Sequence, residues 1–292
     1  MPGRCVSRHR NSRLAAACLA VALANGCAGT AEPPPHATHQ AADALSQSAA
    51  RALRQGNAPG ALAQYNRALA LADSVEDFQL AGTTLLNLAL VHAQLGQVAD
   101  AHARLDRILA APQLYAGPLP AQAATRKALL ALDEPDLPAA LRWADVAQAA
   151  CAVPCEVAAA LGNLRAHVAL ERGDVDGAAR LAEQAVGLAG AAGQSAEQAN
   201  AQRLAGRAHA RAGRGDTAAA LLSSALEVDH QLGLSDRVAL DLLAAADNEA
   251  RRNRPEVSRA YYERALNVYT AAGNRAAADA VRARMAGLRG GS

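Results

Sequence analysis

Small residues recur along the chain from about Ala41 at a spacing much longer than one helical turn. The first mark is an alanine repeating at intervals of 40, 39, 38, 40 and 40 residues, with serine in the last position. It occupies Ala61, Ala101, Ala140, Ala178, Ala218 and Ser258. Seven residues later comes a second mark, which is small in five of six cases: Ala68, Ile108, Ala147, Ala185, Ala225 and Ala265. A fixed period of this length predicts stacked supersecondary units.

Turn residues lie five positions before each first mark: Gly56, Gly96, Pro135, Gly173, Gly213 and Asn253. Glycine after a helix adopts the left-handed conformation without steric cost. Proline suits a first helical turn and aspartate can cap free backbone N–H groups, so helix starts are indicated by Pro59, Pro138, Asp176, Asp216 and Pro255. The pattern therefore predicts six helix–turn–helix units that bury their apolar faces by stacking, and a capping helix over 274–288.

Composition agrees with an all-α fold. Hydrophobic residues make up 51% of the chain, yet aromatic residues make up only 2%. Strands favour aromatic and β-branched side chains, whereas alanine is the strongest helix former. The 29 basic and 27 acidic residues nearly balance, which argues against a general nucleic-acid-binding protein.

These marks resemble the tetratricopeptide repeat (TPR). The best match is the run 204–209 (LAGRAH) together with Gly213, Ala218, Leu222 and Ala225. The resemblance covers about 41–289 and implies a right-handed α-solenoid of about six TPR-like repeats. The chain departs from the family in two ways: the first-helix Trp and Gly are mostly missing, and the period exceeds the usual ~34 residues. Longer second helices or longer connections would account for the extra residues.

The resemblance also implies a binding face, because first helices of this family line a concave surface that holds a peptide or a partner helix. Carried over by position, the candidate partner-binding residues are Asn163, His167, Asn200, Arg203, Arg207, Arg211, Asp247 and Arg251. Those on the fifth repeat follow each other by three or four residues and share one helix face. Their like charges repel, which favours an acidic partner. The alternative is a solvated arginine face in an arginine-rich chain.

The matching positions nearer the N-terminus are apolar: Leu86, Leu90, Leu129 and Leu132. They predict a groove for an apolar peptide or helix, or else ordinary core between repeats.

The N-terminal 26 residues have the layout of an export signal. Four arginines precede a short apolar run, 14–23, and small residues follow. The stretch 23–27 (LANGC) resembles a bacterial lipobox, which implies lipidation of Cys27 and, with Ala28 following, sorting to the periplasmic face of the outer membrane. The alternative is cleavage after Ala24 and a soluble periplasmic or secreted protein. Residues 27–40 contain three prolines and predict an extended tether, so the solenoid would span 41–292.

Cys151 and Cys155 remain as an even pair in an oxidising compartment, which favours a disulfide. Free thiols, or a redox-active or metal-binding pair, are the alternatives. His92 and His209 are expected to be packed core histidines, with a pH-sensing role as the alternative.

No catalytic or cofactor-binding motif is found, and no clustered metal ligands. The sequence therefore predicts a non-catalytic scaffold tethered to the cell envelope, without metal, cofactor or nucleic acid, that binds a still unidentified protein or peptide. The alternative is a self-associating structural protein of the envelope, and an enzyme acting on the cell wall ranks third.

Overall fold

The computed structural model describes residues 37–289, which form thirteen α-helices and no β-strand within that range. In chain order the helices are α1 (Ala37–Arg54), α2 (Ala58–Ser74), α3 (Phe78–Gln94), α4 (Val98–Leu109), α5 (Leu119–Asp133), α6 (Leu137–Ala150), α7 (Ala158–Glu171), α8 (Val175–Ala191), α9 (Ser195–Arg211), α10 (Gly215–Gln231), α11 (Ser235–Arg251), α12 (Pro255–Ala271) and α13 (Arg275–Arg289). Six pairs and a final helix confirm the predicted fold class. Residues 37–40, predicted to belong to the tether, are helical instead.

Helix length accounts for the long period. Two helices of 17 residues, such as α9 and α10, together with two three-residue turns make one unit of about forty residues. The helices α4 and α6 are shorter, with 12 and 14 residues, and longer connections over 110–118 and 151–157 compensate. In three of the six pairs, α1–α2, α9–α10 and α11–α12, both helices have 17 or 18 residues, so the extra length is not confined to the second helix.

The turns within all six pairs contain one residue with positive φ, which the sequence predicted at the four glycines. These residues are Gly56, Gly96, Pro135, Gly173, Gly213 and Asn253. The same geometry occurs in five of the six connections that follow a pair, at Glu76, Gly117, Gly193, Gly233 and Gly273, but not in 151–157. From Gly173 onward a left-handed residue therefore occurs at every twentieth position, so in this part of the chain the elementary unit is one helix and one turn.

Helix capping differs from the prediction. The N-cap of α8 is Asp174, whose carboxylate accepts from the Gly177 N–H at 2.9 Å. Asp176 lies in the first turn of α8 and pairs with Arg214 at 3.1 Å, and Asp216 lies in the first turn of α10. The predicted capping roles of Asp176 and Asp216 are wrong, although both positions favour an acidic side chain beside the helix dipole.

Both series of small residues are completely buried. The six positions of the first mark and the six positions of the second mark all have 0% exposed area, including Ser258 and Ile108. A small residue at a helix contact lets the two axes approach closely. Gly206 shows how close the approach is, because a Cβ atom placed there would lie 2.7 Å from Leu222 Cγ.

The odd-numbered helices form the inner layer of the stack. From α3 to α11 each odd-numbered helix packs directly on the next odd-numbered helix, whereas the even-numbered helices pack mainly on their sequence neighbours. In a curved array the layer with the tighter contacts is the concave one. The first helices of the pairs therefore line the concave face, as expected for the resembled family.

Helix α13 closes the stack by packing on α12 and burying Ala278 and Val281. This agrees with a capping helix. Within 37–289, none of the helices is both long and apolar enough to cross a membrane.

Candidate partner-binding groove

A cavity of about 400 Å³ lies on the concave face and opens to solvent. It is lined by side chains of the five odd-numbered helices α5 to α13. Six of the eight predicted binding residues line it: Asn163, His167, Asn200, Arg203, Arg207 and Asp247. We call this cavity and its lining the groove. Arg211 and Arg251 are not part of the lining.

Arg203 lies at the base of the groove, where its side chain forms ion pairs with buried carboxylates. Its side chain is 10% exposed and its Nη1 lies 3.2 Å from Asp241 and 3.5 Å from Asp229, both of which are 0% exposed. A second nitrogen donates to Asn200 Oδ1. Its charge is engaged by buried carboxylates, which gives Arg203 a structural role, and its contact with a partner stays a prediction.

Two buried carboxylates thus share one guanidinium group. Burial raises the pKa of Asp241 from 3.8 to about 7, against the opposing effect of Arg203. Burial also raises the pKa of Asp229. Because two negative charges face one positive charge, the pair retains a proton at neutral pH more readily than an exposed aspartate does.

Arg211 and Arg251 extend past the cavity at the C-terminal ends of their helices. Arg211 donates to the Leu170 carbonyl oxygen near the end of α7 at 2.5 Å, and this oxygen also accepts from the Gly173 N–H at 3.1 Å. Arg251 is exposed in the last turn of α11. Both side chains lie outside the lining of the groove, and their contact with a partner stays a prediction.

Arg207 and His167 are the groove residues with the most unused hydrogen-bonding capacity. Arg207 is 31% exposed and its nearest carboxylate oxygen, on Glu171, is 3.5 Å away; it donates no hydrogen bond to any residue of 37–289. Burial and the neighbouring Arg211 lower the pKa of Arg207, and burial and Arg207 lower the pKa of His167. A partly dehydrated positive charge therefore faces the groove with its donors available.

Two asparagines flank this charge. Asn163 is 3% exposed and its amide nitrogen bridges to Glu197, donating to the backbone oxygen at 3.1 Å and to the carboxylate at 2.9 Å. Its own oxygen is buried and accepts no hydrogen bond within the described range. Asn200 accepts from Arg203 through Oδ1, which leaves its amide nitrogen to face the groove.

The remaining charges of the groove are paired. Asp247 accepts from Arg284 at 3.3 Å and from the Tyr262 hydroxyl, and burial together with this hydrogen bond to Asp247 raises the pKa of Tyr262. Arg237 donates to a backbone oxygen at 2.6 Å and lies 3.8 Å from Glu197. The sequence missed Arg237 and Arg284 as lining residues, although both lie on helices that it assigned to the array.

Leucines flank the polar centre on both sides. Leu129 and Leu132 line the groove from α5, and Leu240 and Leu243 line it from α11. Leu129 is 45% exposed and Leu240 is 44% exposed. A smaller cavity of about 200 Å³, lined by Leu90 and again by Leu129, continues the apolar surface.

Leu86 behaves differently from the other leucines of the predicted apolar stripe. It is 4% exposed and belongs to the core, as the alternative interpretation of that stripe expected. Leu90, Leu129 and Leu132 reach the two cavities.

His209 is a packed and satisfied histidine. Arg214 Nε donates to its Nδ1 at 2.7 Å, so Nε2 carries the proton and donates to Glu183 at 2.8 Å. His92 is 5% exposed and pairs through Nδ1 with Gln97 at 2.8 Å. Neither histidine lines the groove.

Cys151 and Cys155 are joined by a disulfide, with their Cα atoms 5.4 Å apart. The bridge closes the connection between α6 and α7. Cys27, the predicted signal peptide 1–26 and the tether up to residue 36 lie outside the described residues. No group of three or more potential metal ligands occurs among residues 37–289.

Comparison with known proteins shows the fold. No protein-family model and no curated protein sequence matches the chain. Among solved structures, a Rap protein complexed with competence and sporulation factor matches with a TM-score of 0.57 and 13% identity, over 86% of this chain and 76% of that chain. PilW, a widely conserved type IV pilus biogenesis factor, matches with a TM-score of 0.53 and 15% identity, over 77% of this chain and 92% of that chain.

A signal transduction ATPase with a tetratricopeptide repeat sensor, from Pyrococcus horikoshii, matches with a TM-score of 0.57 and 13% identity. That match covers 84% of this chain but 37% of the larger protein. Together with the six helix pairs and the inner layer of first helices, these likenesses show that the chain has the fold of the tetratricopeptide-repeat proteins.

Proposed function

We propose that the protein is a non-catalytic scaffold that binds a segment of a partner protein along the groove. The observation that carries this proposal is the arrangement of the groove itself. Unsatisfied polar groups occupy its centre, and leucines that are nearly half exposed occupy both flanks. Binding surfaces commonly combine apolar contact area with a few polar groups that fix orientation.

The structural neighbours give the proposal context. The matched Rap protein was solved in a complex with competence and sporulation factor, and PilW is described as a pilus biogenesis factor. By analogy, an assembly or export complex of the cell envelope is a suitable setting for this chain. Fold similarity alone does not identify a partner, so the proposal rests on the groove.

The partner is expected to have both apolar and polar character. The sequence alone favoured an acidic partner because of three arginines on one stripe of α9. Since the carboxylates around Arg203, Arg237 and Arg284 already neutralise these arginines, the attraction for acidic groups is confined to Arg207.

We further propose that a lipid on Cys27 tethers the scaffold to the periplasmic face of the outer membrane. The resemblance of 23–27 to a lipobox supports this, and the disulfide between Cys151 and Cys155 suits an oxidising compartment. Labelling with radioactive palmitate in cells is expected to mark wild type and not Cys27→Ala. Equal labelling of both proteins, or none of either, would contradict the anchor without affecting the groove.

Affinity purification of the full chain from cells tests the groove. The double variant Leu129→Ser/Leu240→Ser is expected to lose the partner that wild type retains, because both substitutions remove apolar contact area at the flanks. The matched control is Leu188→Ser/Val257→Ser, whose residues are 47% and 45% exposed and lie outside the groove. Unchanged recovery with the groove variant, or equal loss with the control, would refute the proposal.

A further inference from the structure

The four arginines lining the groove differ in how their charges are used. Three of them, Arg203, Arg237 and Arg284, donate hydrogen bonds within the described part of the protein. Arg207 donates none there, and the carboxylate of Glu171 that approaches it at 3.5 Å also lies 3.9 Å from Arg211. One carboxylate therefore faces two guanidinium groups, and a positive charge remains uncompensated.

The charge of Arg207 lies in partly buried surroundings, where a bound anion would stabilise it. The side chain of Arg207 is 31% exposed, and burial together with Arg211 lowers its pKa. A charge-assisted hydrogen bond to a carboxylate gains strength in such partly dehydrated surroundings. Asn200, with a free amide nitrogen, and His167 line the same cavity and can add donors.

The position of Arg207 within the groove restricts the shape of the ligand. Helices α7 and α9 form the polar centre, and exposed leucines lie beyond it on α5 and on α11. Three helix spacings of about 8–10 Å each separate α5 from α11. An extended chain advances about 3.3 Å per residue, so about eight residues would cover this distance.

We propose that the groove binds an extended segment with an internal Asp or Glu at Arg207 and apolar side chains on both sides of it, over Leu129 and Leu240. The inference rests on the proposed function and specifies its ligand. An internal acidic side chain fits better than a C-terminal carboxylate. A chain that ended at Arg207 would leave the leucines on one side uncovered.

Selection of random nonapeptides from a display library against the purified full chain tests this. Wild type is expected to enrich peptides with a central Asp or Glu between apolar residues. Arg207→Gln is expected to enrich peptides that keep the apolar residues and lose the acid. The control is Arg259→Gln on α12, whose side chain is 32% exposed and outside the groove; it is expected to select as wild type does.

Synthetic peptides then measure how strongly the acidic side chain of the peptide interacts with Arg207. Replacing the central Glu by Gln should weaken binding to wild type about tenfold or more, and binding to Arg207→Gln less than about threefold. Amidation of the peptide C-terminus should leave affinity unchanged. A large loss on amidation, or an acid at the end of the selected peptides, would overturn the internal position.

The outcomes separate this inference from the proposed function. If wild type and Arg207→Gln select the same peptides without a central acid, and Leu129→Ser loses them, the groove binds a partner but the acidic recognition is wrong. If the groove variants and wild type select no peptide, both the inference and the groove are contradicted.

Discussion

Replacing the buried Asp241 by asparagine is expected to stabilise the protein at pH 8. Asp229 and Asp241 are both 0% exposed, and the guanidinium of Arg203 is the positive group that contacts them. Burial raises the pKa of Asp241 from 3.8 to about 7. Between about pH 4 and pH 7 the folded state therefore keeps a proton that the unfolded chain has already released, so the free energy of unfolding falls as pH rises through that window.

The magnitude follows from the size of the shift. A pKa change from 3.8 to about 7, at 1.36 kcal/mol per unit, corresponds to at most roughly 4 kcal/mol of stability lost above pH 7. Asparagine has the shape of the protonated carboxyl group but cannot ionise, and its amide can donate to Asp229, whose two oxygens accept no hydrogen bond within the described range. Since an asparagine rarely replaces a buried carboxyl group without some loss, we expect Asp241→Asn to raise the free energy of unfolding by about 1–3 kcal/mol at pH 8 and by close to nothing at pH 5.

Urea unfolding followed by circular dichroism at several pH values between 5 and 8 measures the difference. The control is Asp279→Asn on α13, an exposed aspartate whose side chain is 73% accessible, which should change stability little at any pH. The reasoning would be refuted if Asp241→Asn were less stable than wild type at pH 8, or if its effect were the same at pH 5 and pH 8.

Two further predictions concern packing and the connection between α6 and α7. Gly206→Ala should destabilise the protein by about 1–3 kcal/mol, because the added Cβ would lie 2.7 Å from Leu222 Cγ. Gly187→Ala should instead stabilise the protein by about 0.5–1 kcal/mol, because no atom lies within 4 Å of the added Cβ. Thermal unfolding measures both, and equal effects of the two substitutions would contradict the packing. Reducing the Cys151–Cys155 bridge should cost less than about 3 kcal/mol in urea unfolding, because the closed loop is short. A larger loss of stability would contradict this, because it would mean that the disulfide stabilises more of the protein than the connection between α6 and α7.

The fold could be predicted because its signals are local and repeated. Small residues at a constant spacing mark each helix contact, and the structure buries all of them completely. The sequence interpretation found the turns within pairs, such as Gly173 and Gly213, but overlooked those between pairs, at Gly193 and Gly233. The spacing of twenty residues is present in the chain, where it is half of the forty-residue period between Gly173 and Gly213.

The binding face could be predicted only in outline. Position within the resembled repeat put Asn163 and Arg207 on first helices, and both side chains line the groove. It could not show that Arg203 is engaged by Asp229 and Asp241, because these residues lie on two other helices and resemble ordinary surface aspartates in the sequence. Which charges are free depends on the contacts between helices, and these appear only in the folded structure.

Photocrosslinking in living cells tests the central claim, that the concave groove is the binding surface. The crosslinking residue p-benzoylphenylalanine would replace Leu129, Leu240 or Val257, which are 45%, 44% and 45% exposed. Leu129 and Leu240 line the groove, and Val257 on α12 does not. The account predicts that both groove positions capture the same protein and that Val257 does not. Capture of that protein from Val257 as readily as from the groove, or capture of only a second copy of this chain, would contradict it.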